Sequence, residues 1–314
     1  MKLVFCGTPQ FAVPTLQALL AAGHDVALVV TQPDRPVGRN QQMTAPPVKQ
    51  LALGAGLPVT QPEKIRNNVE FRAQVEALAP EAIVVVAYGR IVPRWMLDLP
   101  RLGCINLHGS LLPKYRGAAP IQWAVANGET VTGNTTMLLA EGLDTGPILL
   151  QQQAPITPEQ TAVDLFAVLA EAGAPLVVQT LAGLGDGAIT PQPQDESLAT
   201  LAPILDREDG RMDFGARTAA ELKNRWRGFQ PWPGAFSALD GKKLIVHRLE
   251  VAVGAELPAG AAPGQMHIES HRLFVACAGD TWLELLEIQL EGKKRMAAAE
   301  FLRGTQLPSA GRLG

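Results

Sequence analysis

The chain has 314 residues, 47% of them apolar and 18% charged. That composition excludes a disordered or fibrous protein, and the length exceeds what one hydrophobic core commonly serves, so two domains are expected. The net charge of −3 gives no general pull toward nucleic acid; residues 1–206 carry 12 Lys and Arg against 17 Asp and Glu, and residues 207–314 carry 15 against 13, so the C-terminal part is only weakly the more basic.

Residues 3–6 form an apolar strand that ends at Gly7. No leader is recognisable and no apolar run approaches the ~20 residues of a membrane span, so a cytoplasmic chain with no membrane partner is expected. A helix over 11–22 follows, with Phe11, Thr15, Leu16, Leu19 and Leu20 on or near one face, and Gly23 stops it. Residues 26–31 are a second strand. Residues 32–48, with Pro33, Pro36, Pro46 and Pro47, read as a long polar loop, neither strand nor regular helix. Loops of that length inside a domain usually carry function. Further strands fall at 82–87 and 104–107. Near-continuous apolar strands separated by helices predict a parallel sheet covered on both faces, with ligands bound beyond the strand C-termini.

A helix near 162–183 closes this part. Residues 190–206, with Pro191, Pro193 and Pro203, read as a linker. Short β segments then recur at 244–246, 273–276 and 282–288, separated by turns at Asp240-Gly241 and Gly279-Asp280. This spacing predicts a small antiparallel barrel. The expected domains are therefore 1–189 and 207–314, joined by 190–206. Cys6, Cys104 and Cys277 form no CxxC pair and read as small core residues. No zinc site is expected, since three converging ligands are not visible.

Three strings carry chemistry: residues 106–113, 115–121 and 143–148. Asn106 and His108 lie two apart at a strand end, so their side chains leave the same face. Gly109 lets the chain turn there. Asp144 sits in a Gly- and Pro-flanked turn after the strand-like stretch 135–139, which is expected in the same parallel sheet. Attack of an amine on a formyl or acyl carbon creates an oxyanion, to which an Asn amide and a protonated His can donate. A nearby carboxylate favours the imidazolium and can take the amine proton, directly or through water. Ser110, His108 and Asp144 make a poor hydrolase triad, because no GxSxG elbow is present. From the residues alone the reading stops at an α/β transferase or hydrolase.

Phe5-Cys6-Gly7-Thr8-Pro9-Gln10-Phe11, residues 31–36, 106–121 and 143–146, residues 224–229, Pro231-Trp232-Pro233-Gly234-Ala235-Phe236 and 292–296 together resemble the methionyl-tRNA formyltransferases. The match runs nearly end to end. The resemblance implies a Rossmann-like formyltransferase domain followed by a C-terminal OB-like β-barrel, and a monomer. It implies 10-formyltetrahydrofolate as co-substrate, with no metal, and initiator methionyl-tRNA as acceptor. It makes Asn106, His108 and Asp144 the catalytic trio. It places the folate at Ser110, Leu111, Leu112 and Pro113, with Tyr88, Gly89 and Ile91 lining the pterin pocket. It assigns the 32–48 loop, with Arg35 and Arg39, to the tRNA acceptor end. Family members usually carry Gly-Lys-Lys after that arginine, whereas Asn40-Gln41-Gln42 stand here, so the barrel must supply more phosphate contacts. Lys223, Arg225, Arg227, Lys293, Lys294 and Arg295 are the candidates, alongside Lys242 and Lys243. Trp226 and Trp232 are expected to pack rather than stack on bases.

Two alternatives remain at this stage. One is a folate-dependent transferase acting on a small amine, or a formyl-folate hydrolase, with the same trio. The other is a dinucleotide-binding oxidoreductase, which Gly7-Thr8-Pro9 does not support because it is not GxGxxG.

Overall fold

The computed structural model describes residues 1–38, 41–253, 257–305 and 311–314. Its strands, in chain order, are β1 Lys2–Gly7, β2 Asp25–Val30, β3 Arg35–Val37, β4 Gln42–Thr44, β5 Val59–Thr60, β6 Ala82–Val86, β7 Cys104–His108, β8 Val131–Leu138 and β9 Ile148–Pro155, then β10 Phe236–Leu239, β11 Lys242–Val251, β12 Met266–Glu269, β13 Arg272–Cys277, β14 Thr281–Leu290 and β15 Met296–Ala297. The helices are α1 Val13–Ala21, α2 Pro47–Gly54, α3 Val69–Leu78, α4 Arg94–Leu97, α5 Pro120–Ala126, α6 Ala162–Gly185, α7 Ala219–Gly228 and α8 Ala298–Gly304. The chain divides into two compact units: 1–120, 131–156 and 164–203, and then 121–130, 157–163 and 204–314.

In the first unit seven strands lie in the order β5-β2-β1-β6-β7-β8-β9. The chain reverses its direction of travel across the sheet between β1 and β6, which is where a doubly wound sheet opens a crevice. β1, β2, β5, β6 and β7 are parallel. β8 and β9 are antiparallel, and this corrects the expectation that 135–139 continued the parallel sheet. The strand itself is legible at 135–139, but its direction is not, because strand direction depends on pairing with β7 and leaves no mark in local composition.

Both faces of the sheet are covered. Leu3, Phe5, Val84, Ile105 and Leu107 pack with Leu16, Leu19, Val48 and Val177 on one side. Val4, Cys6, Ile83, Val85 and Cys104 pack with Phe71, Val75 and Met96 on the other. Among the described residues, α6 is long and apolar enough to cross a membrane by length and composition, although its Leu165, Leu169, Val177 and Leu181 are buried core residues.

The 32–48 stretch contains regular structure after all. β3 and β4 form a two-stranded ribbon in which Pro36 faces Met43, and Pro47 opens α2. An isolated ribbon has free edges, so the missing N–H of Pro36 costs no ladder bond, and proline suits a first helical position. Asp34 anchors the ribbon's base, accepting from Lys49 Nζ at 2.8 Å and Gln61 Nε2 at 2.8 Å.

Residues 190–203, expected as free linker, are bonded into the first unit. Gln192 pairs with Ile148, and Leu201 pairs with Arg116.

In the second unit the strands run β10-β11-β14-β13-β12, with β15 on β14. Bridges from Leu313 to Leu239 and from Arg312 to Gln265 tie the two ends of the sheet together through the last residues of the chain. The expected small antiparallel barrel is thus present, around Leu244, Val246, Leu273, Val275, Leu283 and Leu285.

All three cysteines are free and buried. Burial pushes the thiol of Cys6 well up, and those of Cys104 and Cys277 up to about 12. We expect no reaction with a chromogenic thiol reagent at about pH 8 until denaturant is added, because the thiolate is the reactive form. Native-state release of a full equivalent of chromophore would contradict this.

Candidate active site

Alternation along β7 sends Cys104, Asn106 and His108 to one face and Ile105 and Leu107 to the other. Asn106 and His108 are 8% and 6% exposed, so each is enclosed yet reachable. His108 Nε2 lies 2.9 Å from the carbonyl oxygen of Tyr115. A carbonyl only accepts, so Nε2 carries the proton in this arrangement. The other ring nitrogen, Nδ1, faces Asp144 Oδ2 across 3.7 Å. That gap exceeds a direct hydrogen bond.

Asp144 arrives by a route the sequence reading did not foresee. Because β8 is antiparallel to β7, it ends beside Cys104, where the Leu139 N–H donates to the Cys104 carbonyl at 2.8 Å. The chain then folds back and brings Asp144 to His108. Asp144 has φ 51°, in the left-handed region. Its Oδ2 accepts from the Gly117 N–H at 2.8 Å. Its carbonyl, and that of Gly146, each accept from Gln194 Nε2 at 2.7 Å.

The 110–113 turn is held from beneath. Thr135 Oγ1 donates to the Ser110 carbonyl at 2.6 Å and accepts from the Leu112 N–H at 3.1 Å. Gln151 Nε2 donates to the Leu112 carbonyl at 2.8 Å. Ser110 is fully buried and spends its hydroxyl on the Lys114 carbonyl at 2.6 Å, and Leu112 is buried as well. Neither side chain is therefore offered to a ligand, and a folate at this turn would meet its backbone and the outward side chains. Leu111 and Pro113 are half-buried and face outward more.

Val85 pairs with Asn106, so the segment leaving β6 emerges beside the same strand end. There Gly89 takes φ 78°, Ile91 is 90% exposed, and Tyr88 is buried. The Tyr88 carbonyl accepts from Thr8 Oγ1 and from Gln32 Nε2, both at 3.1 Å. Burial pushes its phenol up from the usual tyrosine range.

The basic candidates separate into two groups. Lys223 donates to Glu250 Oε2 at 2.6 Å with its side chain only 16% exposed. Arg225 sits 4.7 Å over the Phe229 ring and donates to the Asp209 carbonyl at 3.0 Å. Arg227 is buried, giving Nη1 to the Thr157 and Gln160 carbonyls at 3.0 and 2.8 Å and Nη2 to Asn224 Oδ1 at 2.7 Å. α7 packs its basic side into the second unit: Lys223 is paired with a carboxylate and the two guanidiniums bond carbonyls, so these donors are already engaged. Arg35, Lys293 and Lys294 are exposed, while Arg295 is exposed but paired with Glu287. Arg39 and Asn40 lie outside the described residues. Trp226 packs against the barrel core as expected, whereas Trp232 is 54% exposed.

Sequence reasoning missed Gln151 and Gln194 and gave no role to Thr135, nor to the backbone groups of Tyr115 and Gly117 within the 115–121 string. These act on distant chain segments or through backbone atoms, for which no local pattern exists.

Residues 1–181 match the formyl transferase family, and residues 204–306 match its C-terminal domain family. Methionyl-tRNA formyltransferase of Acidobacterium capsulatum is 68% identical over the whole of both chains. That of Koribacter versatilis is 59% identical, over 100% of this chain and 99% of its own. Among solved structures, an N-formyltransferase from Helicobacter canadensis, in complex with folinic acid and dTDP-3-aminofucose, shares the fold at a TM-score of 0.67 and 18% identity, over 91% of this chain and 98% of its own. Full-length identity of this order leaves one assignment: the chain belongs to the methionyl-tRNA formyltransferase family.

Proposed function

We propose that the chain transfers a formyl group from 10-formyltetrahydrofolate to the amino group of methionyl initiator tRNA in the cytoplasm, acting as a monomer. The observation that carries the chemistry is the convergence of Asn106, His108 and Asp144 at one strand end, with Nδ1 of His108 and the Asp144 carboxylate facing one gap. The family membership carries the acceptor.

Asn106 donates from its amide to the oxygen of the formyl group as the amine attacks the carbon. His108, with Nε2–H engaged by Tyr115, presents Nδ1–H to the same developing oxyanion in its imidazolium form. Asp144 balances that positive charge and receives the proton lost by the attacking nitrogen, through water across the gap. The proton passes on to N10 of the folate as the C–N10 bond breaks, leaving the formylated aminoacyl-tRNA and tetrahydrofolate. Residues 87–91, Leu111 and Pro113 are the walls we assign to the folate, with Tyr88 and Ser110 shaping them from behind. We assign the first unit, which runs on to residue 203, to catalysis and the second, with its barrel, to tRNA binding. Arg35, Lys293 and Lys294 are the side chains we assign to tRNA phosphates.

The test is formyl transfer to charged initiator tRNA, with uncharged tRNA and a nucleotide-sugar amine as control acceptors. Transfer to the charged tRNA alone is expected. Its KM should rise steeply between low and moderate salt, while the KM for folate stays flat, because phosphate contacts are sensitive to counterions. Folate turnover without formylated tRNA would move the protein to a small-amine transferase or a hydrolase.

A further inference from the structure

Asp144 adopts a left-handed backbone conformation, φ 51°, that few non-glycine residues take without support. Contacts from outside its own loop support it. The side chain of Gln194 supplies such contacts. Its Nε2 gives one hydrogen to the Asp144 carbonyl and one to the Gly146 carbonyl, both at 2.7 Å. Its Oε1 accepts from Arg116 Nε at 3.0 Å and Nη2 at 2.8 Å. Every hydrogen-bonding position of the amide is thus filled, two as donor and two as acceptor. The orientation is also determined: a flipped amide would set its oxygen against two carbonyls and its NH2 against a guanidinium.

Arg116 is itself held. It is buried, and its Nη1 and Nη2 donate to Glu196 at 2.8 Å. The hydrogen bond to Arg116 holds the Glu196 carboxyl below its usual range. The next residue, Gly117, donates its N–H to Asp144 Oδ2. The Arg116-Gly117 pair therefore grips Asp144 twice: at its carboxylate directly, and at its backbone through Gln194. Behind them runs the segment after α6, whose Thr200 and Ala202 bond the backbone of Arg116 at 2.8 and 2.7 Å.

We propose that Gln194 is a positioning residue for formyl transfer, holding the Asp144 carboxylate opposite His108 Nδ1. This rests on the assignment of Asp144 above. The stretch 190–203 is then a structural back wall of the active site.

The test is Gln194→Glu, which keeps the shape and the acceptors for Arg116 but removes both donors and sets a carboxylate against two carbonyls. We expect kcat for formyl transfer to fall about 100-fold, the size of loss an ångström-scale misplacement produces, with both KM values changing less than about twofold. In an Asp144→Asn background the same substitution should lower the residual rate by less than about threefold, because its effect passes through Asp144. Gln194→Asn, an amide one methylene shorter, carries the same expectation at about tenfold and serves if the Glu variant does not fold. A second readout needs no turnover: the ring 15N signals of His108, assigned by their loss in His108→Asn, should move in Gln194→Glu toward their positions in Asp144→Asn. Unmoved signals, a kcat within about threefold of wild type, or equal losses in both backgrounds would overturn the proposal. Failure of wild-type protein to formylate charged tRNA would instead count against the assigned reaction, and leaves the spectroscopic test standing.

Discussion

Asp144→Asn is expected to lower kcat for formyl transfer at least 100-fold while leaving the fold intact. The substitution preserves shape, and the new amide oxygen can still accept the Gly117 N–H that now binds Oδ2. The backbone bonds from Gln194 to residues 144 and 146 do not involve the side chain at all. What disappears is the negative charge facing His108 Nδ1 across 3.7 Å. Without it nothing in the pair balances an imidazolium or receives the proton of the attacking amine. Loss of one such electrostatic contributor typically costs ~3–4 kcal/mol of transition-state stabilisation, about 100- to 1000-fold in rate. The measurement is single-turnover formylation beside a thermal unfolding curve. A variant that keeps more than about a tenth of the wild-type rate would remove Asp144 from the mechanism.

Gly146→Ala tests the loop that carries Asp144, and should damage activity and stability together. An added Cβ would overlap the carbonyl oxygen of Leu138 and stand 2.9 Å from its carbon. Both are backbone atoms, so no side-chain rotation relieves the clash. The Leu138 N–H also donates to the Pro147 carbonyl at 3.0 Å, so the loop closes on itself just where the methyl would sit. Overpacking of this kind costs typically 1–3 kcal/mol. In a chain of this size that corresponds to a fall in unfolding midpoint of about 2–8 °C. The same displacement draws Asp144 away from His108, and we expect kcat to fall at least about tenfold. Calorimetry and steady-state formylation read the two effects separately. An unfolding midpoint and a rate both equal to wild type would mean that the loop has room that its packing does not show.

The two corrected expectations that matter most have one origin. Lys223, Arg225 and Arg227 look like a phosphate-binding cluster along the chain, yet on α7 they satisfy Glu250, the Asp209 carbonyl, and the Thr157 and Gln160 carbonyls. Gln194 falls in the stretch expected as a linker, yet it bonds the backbone of Asp144 and is itself held by Arg116. A charged or amide side chain leaves solvent only where buried partners satisfy it, and those partners are supplied by the fold. Partners 78 residues apart, as for Arg116 and Gln194, leave no trace in local spacing.

Short-range pattern is legible along the chain without the fold. Apolar runs mark β1, β2, β6 and β7; alternation puts Asn106 and His108 on one face; glycine and proline mark the turns; and local residue strings such as 106–121 carry the family resemblance. The tertiary structure alone decided the antiparallel course of β8, which turns the approach of Asp144 around. It also decided the burial of the Ser110 hydroxyl and the closure of the barrel by Arg312 and Leu313. The physical reason is the range of the interactions. Hydrophobic periodicity and backbone preference act over a few residues and are legible along the chain. The hydrogen bonds that aim a carboxylate at an imidazole join groups that only the folded chain brings together, and their strength depends on the burial that folding creates.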